Sequence, residues 1–140
     1  MGQVLVDTSV VISSALGKDK SVQHLLVNLH VSGEKLCLAR QTIYEFWSVA
    51  TRPSASNGFD QSAAEAHGEV QRLLAAYEVL LDPNDLLDRW LSLCLTHDVK
   101  GRPSHDARIA ALMDAYGIDR VASMDKRGFS RFPHLTVLVP

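Results

Sequence analysis

The sequence predicts an α/β fold, and three observations carry that prediction. Short β-branched or leucine-rich runs alternate with helical patterns, no repeat or low-complexity segment interrupts them, and 140 residues suffice for one buried core but not two. We therefore expect a single domain over residues 1–140, with parallel strands joined by helices. Open sheets of this kind bind ligands beyond the carboxyl ends of their strands.

The elements follow in order. Val4-Leu5-Val6 is the first strand, and a short helix begins after Thr8 or Ser9. Residues 21–31 form a second helix with Val22, Leu25, Leu26 and Leu29 on one face, ended by Gly33. Residues 36–38 are the second strand, and 43–50 a helix bearing Phe46 and Trp47. It stops before Arg52-Pro53, because the residue preceding a proline disfavours helical backbone. Residues 54–58 read as a loop, 61–77 as a long alanine-rich helix and 79–81 as the third strand. After Pro83, a helix over 86–95 is capped by Asn84 or Asp85. A loop with Gly101 and Pro103 leads to a helix over 107–116, whose apolar residues recur at Ile109, Ala110, Leu112, Met113 and Tyr116 before Gly117. Strands at 121–122 and 136–139 close the chain, so that Asp7 and Asp125 both fall at strand ends.

A net charge of −2 gives no overall pull toward nucleic acid, so a polyanion has to be met by local cations or by metal. Cys37 and Cys94 sit in apolar surroundings without ligand spacing, which reads as buried thiols in a reducing compartment rather than a zinc site. The amino terminus enters a short strand directly, with no basic flank or long apolar stretch, so we expect a cytoplasmic protein without signal peptide or membrane span.

Four acids, Asp7, Glu45, Asp106 and Asp125, each stand at an expected strand end or helix start. Carboxylates are costly to crowd together without cations; if the fold gathers them, oxygen-only ligation favours a hard ion such as Mg²⁺ or Mn²⁺ and hence phosphate chemistry. Taken singly, each has a plainer reading. Asp7 with Thr8 and Ser9 suits a helix cap. Thr42-Ile43-Tyr44-Glu45 matches a capping box, the preferred reading for that glutamate alone. Asp106 suits the helix dipole, but it precedes Ile109 and Ala110 by three and four residues and so turns toward the buried face, where an unpaired carboxylate is expensive. Asp125 suits a turn before Lys126-Arg127-Gly128.

Taken together, Leu5-Val6-Asp7-Thr8-Ser9, Tyr44-Glu45-Phe46-Trp47, His105-Asp106-Ala107 and Ser123-Met124-Asp125, in this order, resemble a PIN-domain nuclease over nearly the whole chain. Within that superfamily the small size, Ala50-Thr51-Arg52-Pro53, Asp98-Val99-Lys100-Gly101 and Phe129-Ser130-Arg131-Phe132-Pro133 are similar to the VapC-type toxins of toxin–antitoxin pairs. The resemblance implies a three-layer α/β/α domain around a mainly parallel sheet of about four to five strands. It implies a Mg²⁺-dependent endoribonuclease that leaves a 5′-phosphate and a 3′-hydroxyl and inhibits translation and growth. On this reading Asp7, Glu45, Asp106 and Asp125 are catalytic. Asp7, Asp106 and Asp125 hold Mg²⁺, with Mn²⁺ a possible substitute, while Glu45 orients or deprotonates the attacking water and Thr8, Ser9 and Ser123 are supporting hydroxyls.

The resemblance also implies two protein partners. One is a VapB-type antitoxin whose tail brings an arginine into the acidic pocket. The other is a second copy of the chain, paired through apolar early helices that include Leu25, Leu26, Leu29, Phe46 and Trp47. One departure stands out: Gly128 precedes Phe129 where family members often carry an aspartate, so one tightly held ion is expected rather than a preformed pair. That missing carboxylate allows an alternative, a PIN domain that binds metal, RNA or antitoxin without cutting. A free-standing nuclease is a further one.

Substrate phosphates need cations, and Lys100, Arg102, Arg108, Lys126, Arg127 and Arg131 lie near the acids in sequence. For each alone, a solvated surface charge is the preferred reading. His105 has no paired histidine at metal spacing, and Phe46, Trp47, Trp90 and Phe132 sit among apolar neighbours as core or interface residues. A haloacid-dehalogenase-type phosphatase needs a second aspartate where Ser9 stands. A dinucleotide site needs glycines, which residues 7–15 lack.

Overall fold

A computed structural model describes residues 2–140. Strands β1 (Gln3–Val6), β2 (Lys35–Ala39), β3 (Glu78–Leu80), β4 (Arg120–Ala122) and β5 (Thr136–Leu138) form one fully parallel sheet in the order β3-β2-β1-β4-β5. Seven helices accompany it among the described residues: α1 (Thr8–Ala15), α2 (Lys20–Val31), α3 (Arg40–Thr51), α4 (Ala63–Ala76), α5 (Leu86–Thr96), α6 (Ser104–Tyr116) and α7 (Lys126–Ser130). A single 3-10 turn, Ser54–Ser56, occupies the loop expected after α3.

The strands read as unbroken apolar runs because both of their faces are buried. Val4 and Val6 pack with Val10, Val22 and Phe46 beneath α1 to α4, whereas Leu5 turns to the opposite face among Ala110, Leu112 and Phe129. The same alternation separates Leu38 from Cys37 and Ala39 on β2. The product is three layers, helix over sheet over helix.

The order of the strands creates the crevice. From β1 the chain moves outward through β2 to β3, then crosses back to place β4 on the other side of β1. Connections leaving the carboxyl ends of β1 and β4 therefore depart in opposite directions, and the gap between them is where a doubly wound sheet receives ligands.

Local expectations change at four points. Helix α3 starts at Arg40, with Ala39 as its cap and no side-chain cap bond, so Thr42 is a buried residue inside the helix rather than the start of a capping box. Helix α6 starts at Ser104 and thus carries Asp106 in its first turn. Helix α7 occupies the segment read as a turn. Asp85 holds the cap position of α5 as expected, but its carboxylate pairs with Arg89 at 2.9 Å and makes no cap bond. Gly33 and Gly117 do follow their helices with left-handed backbone, φ 81° and 68°.

Burial also redraws the apolar surface. Leu26 and Phe46 belong to the core, and of the five residues expected to form a pairing face only Trp47 is exposed, with Leu25 and Leu29 half-buried. A leucine stripe lies bare elsewhere, on α5, at Leu87, Leu91 and Leu95. Cys37 is buried and Cys94 half-buried; both are free, and burial pushes the Cys37 thiol up. Among the described residues no helix is long and apolar enough to cross a membrane.

Candidate active site

Asp7 extends β1 by one residue, its N–H donating to the Ala122 carbonyl of β4 at 2.9 Å. It occupies the cap position of α1 yet makes no side-chain cap bond, so the plain capping role is not the one its carboxylate adopts. Its Oδ2 instead accepts the Ser9 hydroxyl at 3.1 Å and the Ser123 hydroxyl at 2.9 Å. Each serine spends its one proton on Asp7 and accepts a backbone N–H from the segment after β4, Ser9 from Met124 at 3.2 Å and Ser123 from Asp125 at 2.9 Å. The two hydroxyls thus tie the end of β1 to the loop that carries Asp125. Asp7 is nearly buried, and burial pushes its carboxyl up despite the pull of the two serines and the Thr8 backbone.

Asp125 caps α7, with Oδ1 accepting the Gly128 N–H at 2.9 Å. Its Oδ2 faces a space shared with Asp106 of α6. A Cβ added at buried Gly128 would lie 2.5 Å from Asp125 Oδ2 and 2.5 Å from Asp106 Oδ2, closer than side-chain carbons stand to such atoms. The glycine is what allows two carboxylates from different helices to converge there.

Glu45 reaches the same crevice from the opposite helical layer, on α3. Its Oε1 lies 3.2 Å from the Thr8 hydroxyl, which also stands 3.1 Å from Thr42 Oγ1. That contact replaces the backbone cap bond expected from sequence. Glu45 is exposed, and its carboxylate bonds Thr8 rather than its own helix start.

The charge of the cluster is registered at Asp106. Its pKa is raised to about 6, first by burial and then by repulsion from Asp7 and Asp125, with Glu45 contributing less and Arg131 opposing. Among the described residues no three acidic, histidine or cysteine side chains already stand in a ligating array. Three of the four carboxylates lean instead on an internal partner: Asp7 on the serines, Asp125 on Gly128 and Glu45 on Thr8. The donor set fits a hard cation on two counts, its oxygen-only chemistry and the cradle at Gly128 that a methyl group would fill.

The expected cationic rim separates into distinct roles. Lys100 pairs with Asp98 at 3.3 Å, and Arg108 pairs with Asp82 at 2.9 Å while donating to Gln41 at 2.8 Å. Arg102, Lys126 and Arg127 are exposed and make no ion pair among the described residues. Arg131 acts on the cluster itself, its Nε donating to the Gly128 carbonyl at 3.2 Å and its charge lowering the Asp106 pKa. Sequence reasoning counted Arg131 without distinguishing it; only the short helix α7 gives it this place.

The family model described as PIN domain matches residues 4–135, and the chain belongs to the PIN-domain family. Among solved structures it is similar to VapBC2 from Rickettsia felis bound to a promoter DNA fragment, with TM-score 0.76, 13% identity and coverage of 100% of this chain and 99% of that one. DNA-bound VapBC from Salmonella typhimurium gives TM-score 0.75 at 18% identity, covering 99% and 98%. VapC20 from Mycobacterium tuberculosis, described as a Sarcin-Ricin loop cleaving toxin, gives 0.66 at 19%, covering 92% and 95%. At these identities the likeness concerns the fold. No curated protein matches the chain by sequence.

Proposed function

We propose that this PIN domain is a Mg²⁺-dependent endoribonuclease of the VapC type, the toxin of a toxin–antitoxin pair that inhibits translation and growth. One observation carries the reading: four carboxylates from three layers meet at the switch point of a parallel sheet, with Asp106 lifted to about 6 by its burial and its acidic neighbours. Such a site is under electrostatic tension that a divalent cation relieves.

Asp7, Asp106 and Asp125 would hold the ion, with Mn²⁺ able to replace Mg²⁺. The ion supplies Lewis-acid polarisation of the scissile phosphate and of the attacking water. Ser9 and Ser123 fix the orientation of Asp7, Glu45 orients or deprotonates the water, and Arg131 offsets the negative charge of the cluster. Attack in line on phosphorus leaves a 5′-phosphate and a 3′-hydroxyl.

Structural relatives solved as VapBC complexes support a VapB-type antitoxin as partner. A homodimer agrees with the bare leucine stripe of α5 rather than with the early helices. The protein would act in the cytoplasm. The reading is tested by incubating purified protein with single-stranded RNA and Mg²⁺ and mapping the ends: discrete cuts with 5′-phosphates, lost in chelator, are expected. Binding of RNA or antitoxin without any cleavage would leave a non-cutting PIN domain.

A further inference from the structure

Next to the acids lies a hollow of about 290 Å³, lined by Gln41, Tyr44, Glu45, His105 and Arg108. Glu45 is shared between this hollow and the acidic crevice, which makes the two spaces neighbours. Tyr44 stands on its rim with 68% of its surface exposed, and its hydroxyl makes no hydrogen bond among the described residues. An aromatic ring so bare, one residue from Glu45, leaves a stacking face open to solvent.

Arg108 forms the fixed wall. Its Nη1 donates to Gln41 Oε1 at 2.8 Å and its Nη2 to Asp82 at 2.9 Å, which immobilises the guanidinium while leaving three of its five N–H groups unspent. Gln41 in turn reaches the His105 carbonyl at 3.5 Å. The charge of Arg108 is already met by Asp82, and Glu45 adds a further carboxylate. A phosphate entering here would confront two carboxylates across one committed cation. A neutral, planar ring with hydrogen-bonding edges meets no such opposition.

We propose that this hollow is a base-binding subsite, holding one unpaired nucleobase of the RNA strand beside the scissile phosphate, stacked on Tyr44 with its edge toward Arg108 and Gln41. The inference rests on the nuclease reading of the adjoining acids and adds to it how the strand is registered. Stacking of a splayed base on an aromatic ring is the usual way single-stranded RNA is held.

The test uses the full chain and a single-stranded oligonucleotide carrying 2-aminopurine, whose fluorescence falls when the base stacks. Wild-type protein should quench it, Tyr44→Phe should quench it equally, and Tyr44→Ala should abolish the quench and weaken binding about tenfold. In cleavage, Tyr44→Ala should raise KM about tenfold with kcat little changed, and an abasic nucleotide at the subsite should do the same to wild-type protein. Because the quench needs no cleavage, it reports on the subsite even if the protein does not cut RNA. Normal cleavage with unchanged KM for Tyr44→Ala and for the abasic strand would overturn the subsite and leave the nuclease standing. Absence of any RNA binding would overturn both. Unchanged RNA affinity with lost antitoxin affinity in Tyr44→Ala would reassign the hollow to a protein partner.

Discussion

Ser123 donates its hydroxyl to Asp7 across the junction of β4 and β1, at 2.9 Å and entirely out of solvent. That bond holds the most buried carboxylate of the site in one orientation, and the same oxygen accepts the Asp125 N–H. Ser123→Ala therefore leaves a buried carboxylate short of one donor and a loop N–H short of one acceptor. We expect a loss of about 1–2 kcal/mol in stability and about tenfold in cleavage. Thermal melts and initial rates check both; an unchanged rate would show that Ser9 alone orients Asp7.

Glu45→Gln separates two jobs. In a capping box the amide would preserve the bond and the activity, but Glu45 contacts Thr8 and α3 has no side-chain cap to lose. Stability should hold within about 0.5 kcal/mol while cleavage falls about a hundredfold. Early melting with intact cleavage would restore the structural role.

Gly128→Ala asks whether the cradle matters. The added methyl would press on the far ends of Asp106 and Asp125, flexible atoms that can give way at little cost to the fold. Melting should change by no more than about 1 kcal/mol, whereas cleavage should drop and require more Mg²⁺ for half-maximal rate. Unaltered metal demand would detach Gly128 from the site.

The raised pKa of Asp106 gives stability a definite pH dependence in the metal-free protein. Because the folded state binds this proton more tightly than the unfolded chain, its contribution is fully present below the ordinary aspartate value of 3.8 and is lost as pH rises through about 6. Metal-free protein should therefore gain on the order of 1 kcal/mol between neutral pH and the window from about 6 to 3.8, after discount for partial solvent screening. Asp106→Asn should flatten that window and stabilise the protein at neutral pH. Melts of both proteins across the window decide it; equal slopes would remove Asp106 as the source.

Much of the fold was legible because it rests on periodicity. Val4-Leu5-Val6 stands out in the letters as a short apolar run, and Gly33 and Gly117 mark helix ends by their backbone needs. Helices α3 and α6 start earlier than the sequence predicts, since Arg40 and Ser104 carry no apolar signal. The segment 126–130 reads as a turn because Lys126-Arg127-Gly128 has no helical pattern, yet the Asp125 side chain caps a short helix there. The acids were visible as residues. Their junction was not, because no letter shows that β4 returns beside β1, or that a missing Cβ at Gly128 opens the space between Asp106 and Asp125.

Cation binding by the acidic cluster is the property on which cleavage most directly depends. Mn²⁺ binding followed by electron paramagnetic resonance, on metal-free wild-type, Asp7→Asn and Asp106→Asn proteins, reads it without depending on substrate. Wild-type should bind one ion tightly and cleave RNA with Mn²⁺ or Mg²⁺, and each variant should remain folded while losing most of both properties. Undiminished Mn²⁺ binding or cleavage in either folded variant, or full cleavage by wild-type protein in chelator, would contradict it.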